Sequence, residues 1–224
     1  MDYDLIIFDC DGTLVDSEYL NNLALIETLN RHGVTQYDMD YALQYFAGGT
    51  LSNIFIVIED EQNITLDRQR FTSEYMDLIC AKQKSDLNIV DGALEVVEHC
   101  KSMAKICVAS NGERDSVLRA LSLTGLDSFF PENHVFTKIQ VENGKPAPDL
   151  FLYAAKQMNV DPSRCLVLED SPTGVQAGVR AGMDVWGFVG VSHDPNQQKI
   201  TLKKDGALKV FDDFIHISST LFDC

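Results

Sequence analysis

The chain has 224 residues, 45% of them hydrophobic, and a formal net charge of −16. That length suits one domain of moderate size or one domain with an insertion, and a mean hydropathy near zero fits an ordinary soluble globular protein. The acidic balance argues against nucleic acid and anionic membrane as partners, since neither attracts a negative surface.

The N-terminus, Met1-Asp2-Tyr3-Asp4, is acidic where a signal peptide is basic. The longest strongly apolar runs, such as Ile54 to Ile58, are far too short to cross a bilayer. The six cysteines (Cys10, Cys80, Cys100, Cys107, Cys165 and Cys224) form no Cys-x-x-Cys pair, and no histidine spacing suggests zinc. Reduced thiols in a cytoplasmic protein are the expectation.

Leu5-Ile6-Ile7-Phe8 predicts a buried strand, and it runs directly into Asp9-Cys10-Asp11-Gly12-Thr13. Strand alternation puts Asp9 and Asp11 on one side and Cys10 on the other, where packing suits it. From 17 to 88 no strand alternation occurs. Ser17 and Glu18 open an amphipathic series that reads as a capped helix ending near Gly33, followed by helices at about 38–46, 50–61 and 67–84. Gly48-Gly49 and Asn63 break that stretch, and no proline occurs before Pro131.

From Val90 onward strands and helices alternate. Helices are expected at 93–103, 116–123, 148–158 and 174–181, and strands at 105–110, 134–137, 165–168 and 185–189. Near-continuous apolar strands between helices indicate a Rossmann-like three-layer α/β core with a parallel sheet covered on both faces. The first strand belongs with that sheet, so residues 1–16 and 89–224 form the core domain and 17–88 an inserted helical domain. In open α/β sheets ligands bind beyond the carboxyl ends of the strands.

Four signals fall at those ends. Asp9 and Asp11 supply paired carboxylates on a glycine turn. Ser110-Asn111-Gly112 ends a strand on a hydroxyl and an amide, with backbone N–H groups suited to phosphoryl oxygens. In Gly144-Lys145-Pro146-Ala147-Pro148-Asp149, two prolines stiffen the loop that carries Lys145, a cation the acidic cluster needs. Glu169-Asp170-Ser171 ends a further apolar strand. Hard oxygen ligands converging from two strand ends are a common way to hold magnesium. Capping of the next helix by Asp170 or Ser171 competes with that role and can coexist with it.

In their order and spacing these motifs resemble the haloacid dehalogenase-like hydrolases, over nearly the whole chain. The similar branch contains β-phosphoglucomutases, phosphoglycolate phosphatases and small sugar-phosphate phosphatases, and the segment from Lys145 to Val160 is similar to bacterial 6-phosphogluconate phosphatases. The resemblance implies a magnesium-dependent phosphatase in which Asp9 is the nucleophile and forms an aspartyl-phosphate. Asp11 would be the acid and base, and Ser110 and Lys145 would hold the phosphoryl oxygens. Mg2+ would sit on the Asp9 carboxylate, the Asp11 carbonyl and the Asp170 carboxylate, with Glu169 beside them or an added ligand.

The resemblance makes the helical insertion a cap. Substrate contacts would come from Asn111 and, in the cap, from Glu18, Asn21, Gly48, Gly49 and Thr50. The expected partner is a small phosphorylated metabolite, and the expected assembly a monomer or weak homodimer. A phosphosugar mutase is an alternative, but β-phosphoglucomutase carries a histidine soon after the first motif and a cap-loop arginine. The matching stretches here, Glu18-Tyr19-Leu20-Asn21 and Ala47-Gly48-Gly49-Thr50, hold neither. A non-catalytic phosphate-responsive protein is a second alternative, and it would be expected to have lost Asp9, Asp11, Lys145 or Asp170. A dehalogenase needs neither Asp11 nor magnesium.

Overall fold

The computed structural model describes residues 3–46 and 50–222. They gather into two compact units, Met1–Asp16 with Asn88–Cys224, and Ser17–Leu87. In chain order, β1 (Leu5–Phe8) and β2 (Val15–Asp16) precede the helices α1 (Glu18–Arg31), α2 (Met39–Tyr45), α3 (Leu51–Gln62) and α4 (Arg68–Asp86). The α/β unit resumes with β3 (Asn88–Ile89), α5 (Ala93–Met103), β4 (Lys105–Ser110), α6 (Arg114–Leu123) and β5 (Val135–Thr137). It ends with α7 (Asp149–Gln157), β6 (Cys165–Glu169), α8 (Pro172–Arg180), β7 (Asp184–Phe188), α9 (Pro195–Lys204), β8 (Lys209–Phe211) and α10 (Phe214–Phe222).

Six strands form one sheet in the order β5-β4-β1-β6-β7-β8, and every pairing in it is parallel. β1 is central and wholly buried, with Leu5 opposite Lys105 on one side and Cys165 on the other. Burial on both faces explains why it reads as an unbroken apolar run rather than an alternation. Leu5, Ile7, Cys107, Ala109, Cys165 and Val167 share one face and pack on Leu150, Phe151, Ala154 and Val175 of α7 and α8. On the opposite alternation, Phe8 meets Phe130 edge-on, with ring centres 5.8 Å apart. The sheet is thus the middle of three layers, as the strand pattern predicts.

The helical unit has its own core, in which Leu25, Leu29, Tyr37, Phe46, Phe55, Ile58 and Phe71 pack together. Asp38, Thr50 and Asp67 cap α2, α3 and α4 by accepting the N–H of Tyr41, Asn53 and Arg70. Asn63 ends α3 in the left-handed region at φ 49°. Ser17 stands at the start of α1, but its side chain makes no capping hydrogen bond there. That departs from the capped helix expected, and the charge of Glu18 in the first turn is left to favour that end.

Candidate active site

The turn after β1 is built by its own backbone. The Asp9 N–H extends the sheet to the Leu168 carbonyl, while Leu14 and Val15 both donate to the carbonyl of Cys10. Gly12 is required twice. It adopts φ +78°, and a Cβ there would collide with the Asp170 carboxylate. The glycine therefore lets the turn of the first strand lie against the end of β6. Thr13 adds a direct tie, its Oγ1 donating to Asp170 Oδ1 at 3.2 Å.

Lys145 lies at the centre. Its Nζ donates to Asp9 Oδ1 and to Glu169 Oε2, at 2.6 Å each, and also lies over the Phe151 ring, 4.9 Å from its centre. All three charged side chains are buried, Glu169 to 1% exposure. Glu169 is held further by the N–H and hydroxyl of Ser171, at 3.0 and 2.7 Å. The same Ser171 hydroxyl accepts the N–H of Gly174 and so caps α8, the capping role that the sequence offered to Asp170 or Ser171. The cap starts α8 at Pro172, two residues before the expected boundary.

Ser110 is buried at the end of β4, where its Oγ accepts the N–H of Gly112 at 3.0 Å. Asp11 lies beside that turn: a Cβ on Gly112 would stand 3.2 Å from Ser110 Oγ and 3.5 Å from Asp11 Oδ2. The fold thus gathers Asp9, Asp11, Ser110, Asn111, Lys145, Glu169 and Asp170 at the carboxyl ends of β1, β4 and β6 and on the loop before α7.

The electrostatics follow from crowding carboxylates where water is scarce. Burial pushes the Asp9 carboxyl up to about 7, with the Glu169 carboxylate adding to the rise and Lys145 opposing it. Burial disfavours the Lys145 ammonium, but Asp9 and Glu169 outweigh it, so the lysine is held more firmly protonated than usual. Cys10, between the two aspartates, is a fully buried thiol pushed up first by burial and then by its acidic neighbours. It is buried, as expected of a packing residue, although it lies in the turn beyond β1 and not on the strand itself.

One carboxylate oxygen from each of Asp9, Glu169 and Asp170 lies within 4.8 Å of the others. The donors are all hard oxygens, and Lys145 bridges two of the three. A divalent cation that prefers oxygen fits such a set.

The remaining candidates lie in the helical unit. Glu18 and Asn21 are on α1, and the Asn21 Oδ1 is buried with no hydrogen-bond partner among the described residues. Thr50 caps α3. Gly48 and Gly49 lie outside the described residues.

Sequence reasoning missed Gln198 on α9, whose Nε2 donates to the Asp170 carbonyl at 2.5 Å. It also missed Gly174, where a Cβ would strike the Glu169 carboxylate. Gln198 is not signalled locally, because it matters only through a carbonyl 28 residues away, and the need for glycine at 174 shows only once the Glu169 side chain folds back over the start of α8.

The class that fold and site define is a Rossmann-like α/β protein, whose parallel sheet gathers acidic strand ends around a buried lysine in a carboxylate centre able to take a divalent metal. Residues 3–182 match the haloacid dehalogenase-like hydrolase family, and the chain belongs to it. It is 31% identical over 189 residues to the 6-phosphogluconate phosphatase of Escherichia coli, spanning 84% of each protein. Against the fructose-1-phosphate phosphatase of the same organism it is 30% identical, over 80% of this chain and 93% of that protein. Among solved structures, a conserved haloacid dehalogenase-like protein of unknown function from Agrobacterium tumefaciens superposes with a TM-score of 0.85 at 31% identity. That match covers 98% of this chain and 97% of the other.

Proposed function

We propose that this hydrolase is a cytoplasmic Mg2+-dependent phosphatase that removes phosphate from a small phosphorylated metabolite, with a sugar phosphate as the favoured class. The observation that carries the reading is Lys145, whose buried ammonium bridges Asp9 and Glu169 with Asp170 alongside. The names of the two Escherichia coli relatives support the substrate class. The free thiols of Cys10, Cys80, Cys100, Cys107 and Cys165 suit a reducing compartment.

In this mechanism a carboxylate oxygen of Asp9 attacks phosphorus, the ester P–O bond breaks, and Asp11 gives its proton to the departing alkoxide. Asp11, now a carboxylate, takes a proton from the water that attacks the aspartyl-phosphate, which releases phosphate and restores Asp9. Lys145 and the Ser110 hydroxyl face the phosphoryl oxygens, so the chain's part is mostly positioning and charge neutralisation. Mg2+, held by the carboxylates of Asp9 and Asp170 and the carbonyl of Asp11 with Glu169 beside them, would supply further positive charge for those oxygens. Residues 17–88 act as the cap that selects the substrate, through Glu18, Asn21, Gly48, Gly49 and Thr50. The protein works as a monomer or weak homodimer.

The test is turnover of a panel containing 6-phosphogluconate, fructose 1-phosphate, other sugar phosphates, phosphoglycolate and nucleoside monophosphates, with Mg2+ and with EDTA. Metal-dependent phosphate release from at least one sugar phosphate is expected. No release from any compound, or undiminished release in EDTA, would overturn the reading.

A further inference from the structure

Asn111 follows Ser110 at the end of β4 and is expected to touch substrate, yet both polar ends of its amide are engaged by protein. Its Oδ1 accepts the Lys145 backbone N–H at 2.9 Å, and its Nδ2 donates to the Lys145 backbone carbonyl at 2.9 Å. The side chain thus pairs with residue 145 as a neighbouring strand would. Gly144 permits the approach, since a Cβ there would stand 2.6 Å from Asn111 Oδ1. One residue further on, a guanidinium nitrogen of Arg180 on α8 donates to the Pro146 carbonyl at 2.6 Å. The loop before α7 is gripped from β4 and from α8, and from that loop Lys145 reaches two carboxylates at once.

We infer that Asn111 is a positioning residue and not a substrate contact: it fixes the backbone of residue 145 so that the ammonium meets Asp9, and Arg180 supports the same loop. The kinetic consequence rests on the phosphatase reading, whereas the placement of Lys145 does not. Misplacing a catalytic group by about 1 Å can cost ~100-fold in rate. On the phosphatase reading Lys145 serves the phosphoryl group that all phosphate esters share, so loosening it should affect them alike.

Asn111→Ala is therefore expected to lower kcat by about 10- to 100-fold. The factor should be the same for p-nitrophenyl phosphate and for a sugar phosphate, with KM changed by no more than about threefold. Asn111→Asp keeps the acceptor, loses the donor and should fall between. Arg180→Leu should show the same uniform pattern with a smaller loss. A rise in KM confined to the sugar phosphate, with the aryl phosphate unaffected, would make Asn111 a substrate contact and overturn the inference.

A second readout needs no turnover. In protein labelled with 13C-lysine, the Lys145 Cε signal, identified by its loss in Lys145→Met, should shift in Asn111→Ala, and an unchanged signal would also overturn the inference. If the wild type hydrolyses no phosphate ester, the phosphatase reading fails and this signal alone decides the placement. Should Asn111→Ala not fold, Asn111→Asp and Arg180→Leu carry both measurements.

Discussion

The two units of this chain differ in whether they bury an ion-pair cluster, although both carry exposed pairs such as Arg164 with Asp4 in the α/β unit. In the α/β unit, Asp9, Lys145 and Glu169 are each at most 8% exposed, and they bring together loops that lie far apart in the chain. In the helical unit the pairs are more open, as with Arg31 and Glu27 at 50% and 40% side-chain exposure and Arg70 and Glu74 at 68% and 27%. Exposed pairs of this kind contribute little, because water and salt already satisfy both partners. A buried pair carries a desolvation penalty that attraction need not recover, so it is poor evidence for stability as such. On the proposed function the buried triad marks where the molecule sets stability aside for chemistry, while the helical unit rests on its apolar core.

Substitutions in each unit can break or sharpen that contrast. The largest effect belongs to Asp9→Asn, which should lower kcat by at least ~1000-fold with the circular dichroism spectrum unchanged, because an amide cannot attack phosphorus. Retention of a tenth of the activity would remove Asp9 from the chemistry. Next, Asp170→Ala should raise the Mg2+ concentration for half-maximal activity by more than ~10-fold, since a small hard cation relies on few protein carboxylates. Titrating activity with Mg2+ after EDTA treatment measures this.

A steric change comes third. Gly174→Ala forces a methyl group into the Glu169 carboxylate and should cost about 1–3 kcal/mol in urea denaturation, the range for overpacking. It should also lower kcat by displacing the partner of Lys145. Gly125→Ala has no atom within 4 Å in its way and serves as the control, its only strain being φ +75°.

The fourth concerns pH. The folded Asp9 carboxyl is raised from 3.8 to about 7, so the folded state holds a proton that the unfolded chain has released. The resulting stability is complete below pH 3.8 and is lost as pH rises through about 7. In EDTA, the melting temperature of the wild type minus that of Asp9→Asn should therefore fall across this window. A constant difference would mean that Asp9 is not crowded in the way described. The smallest effect is expected from Arg31→Ala, which removes an exposed pair and should move the melting temperature by no more than about 1–2 °C while leaving kcat unchanged.

The residues of the site were legible in the sequence because each motif is local. An unbroken apolar run reports a strand buried on both faces, and a carboxylate or hydroxyl set directly beyond it has little packing reason to be there. That argument singled out Asp9, Asp11, Ser110, Glu169 and Asp170 before any geometry, whereas Lys145, on the loop before α7 and not at a strand end, was singled out by the prolines that stiffen its loop. It was weaker where an element is short or lacks apolar periodicity. β2 and β3 are two residues each, too brief for alternation to register. In α9, Leu202 alone is buried among ten mostly polar residues, so no apolar stripe announces the helix.

By itself the sequence determined the class of the core, a parallel α/β sheet with acidic strand ends, because burial pattern and strand-end chemistry are written into neighbouring residues. Only the tertiary structure decided the strand order β5-β4-β1-β6-β7-β8 and, with it, which distant groups meet. Asn111 lies 34 residues from the backbone it grips, Gln198 lies 28 from the carbonyl it holds, and Lys145 lies 136 from Asp9. A hydrogen bond depends on distance and direction in space, and the folding of the intervening chain sets both.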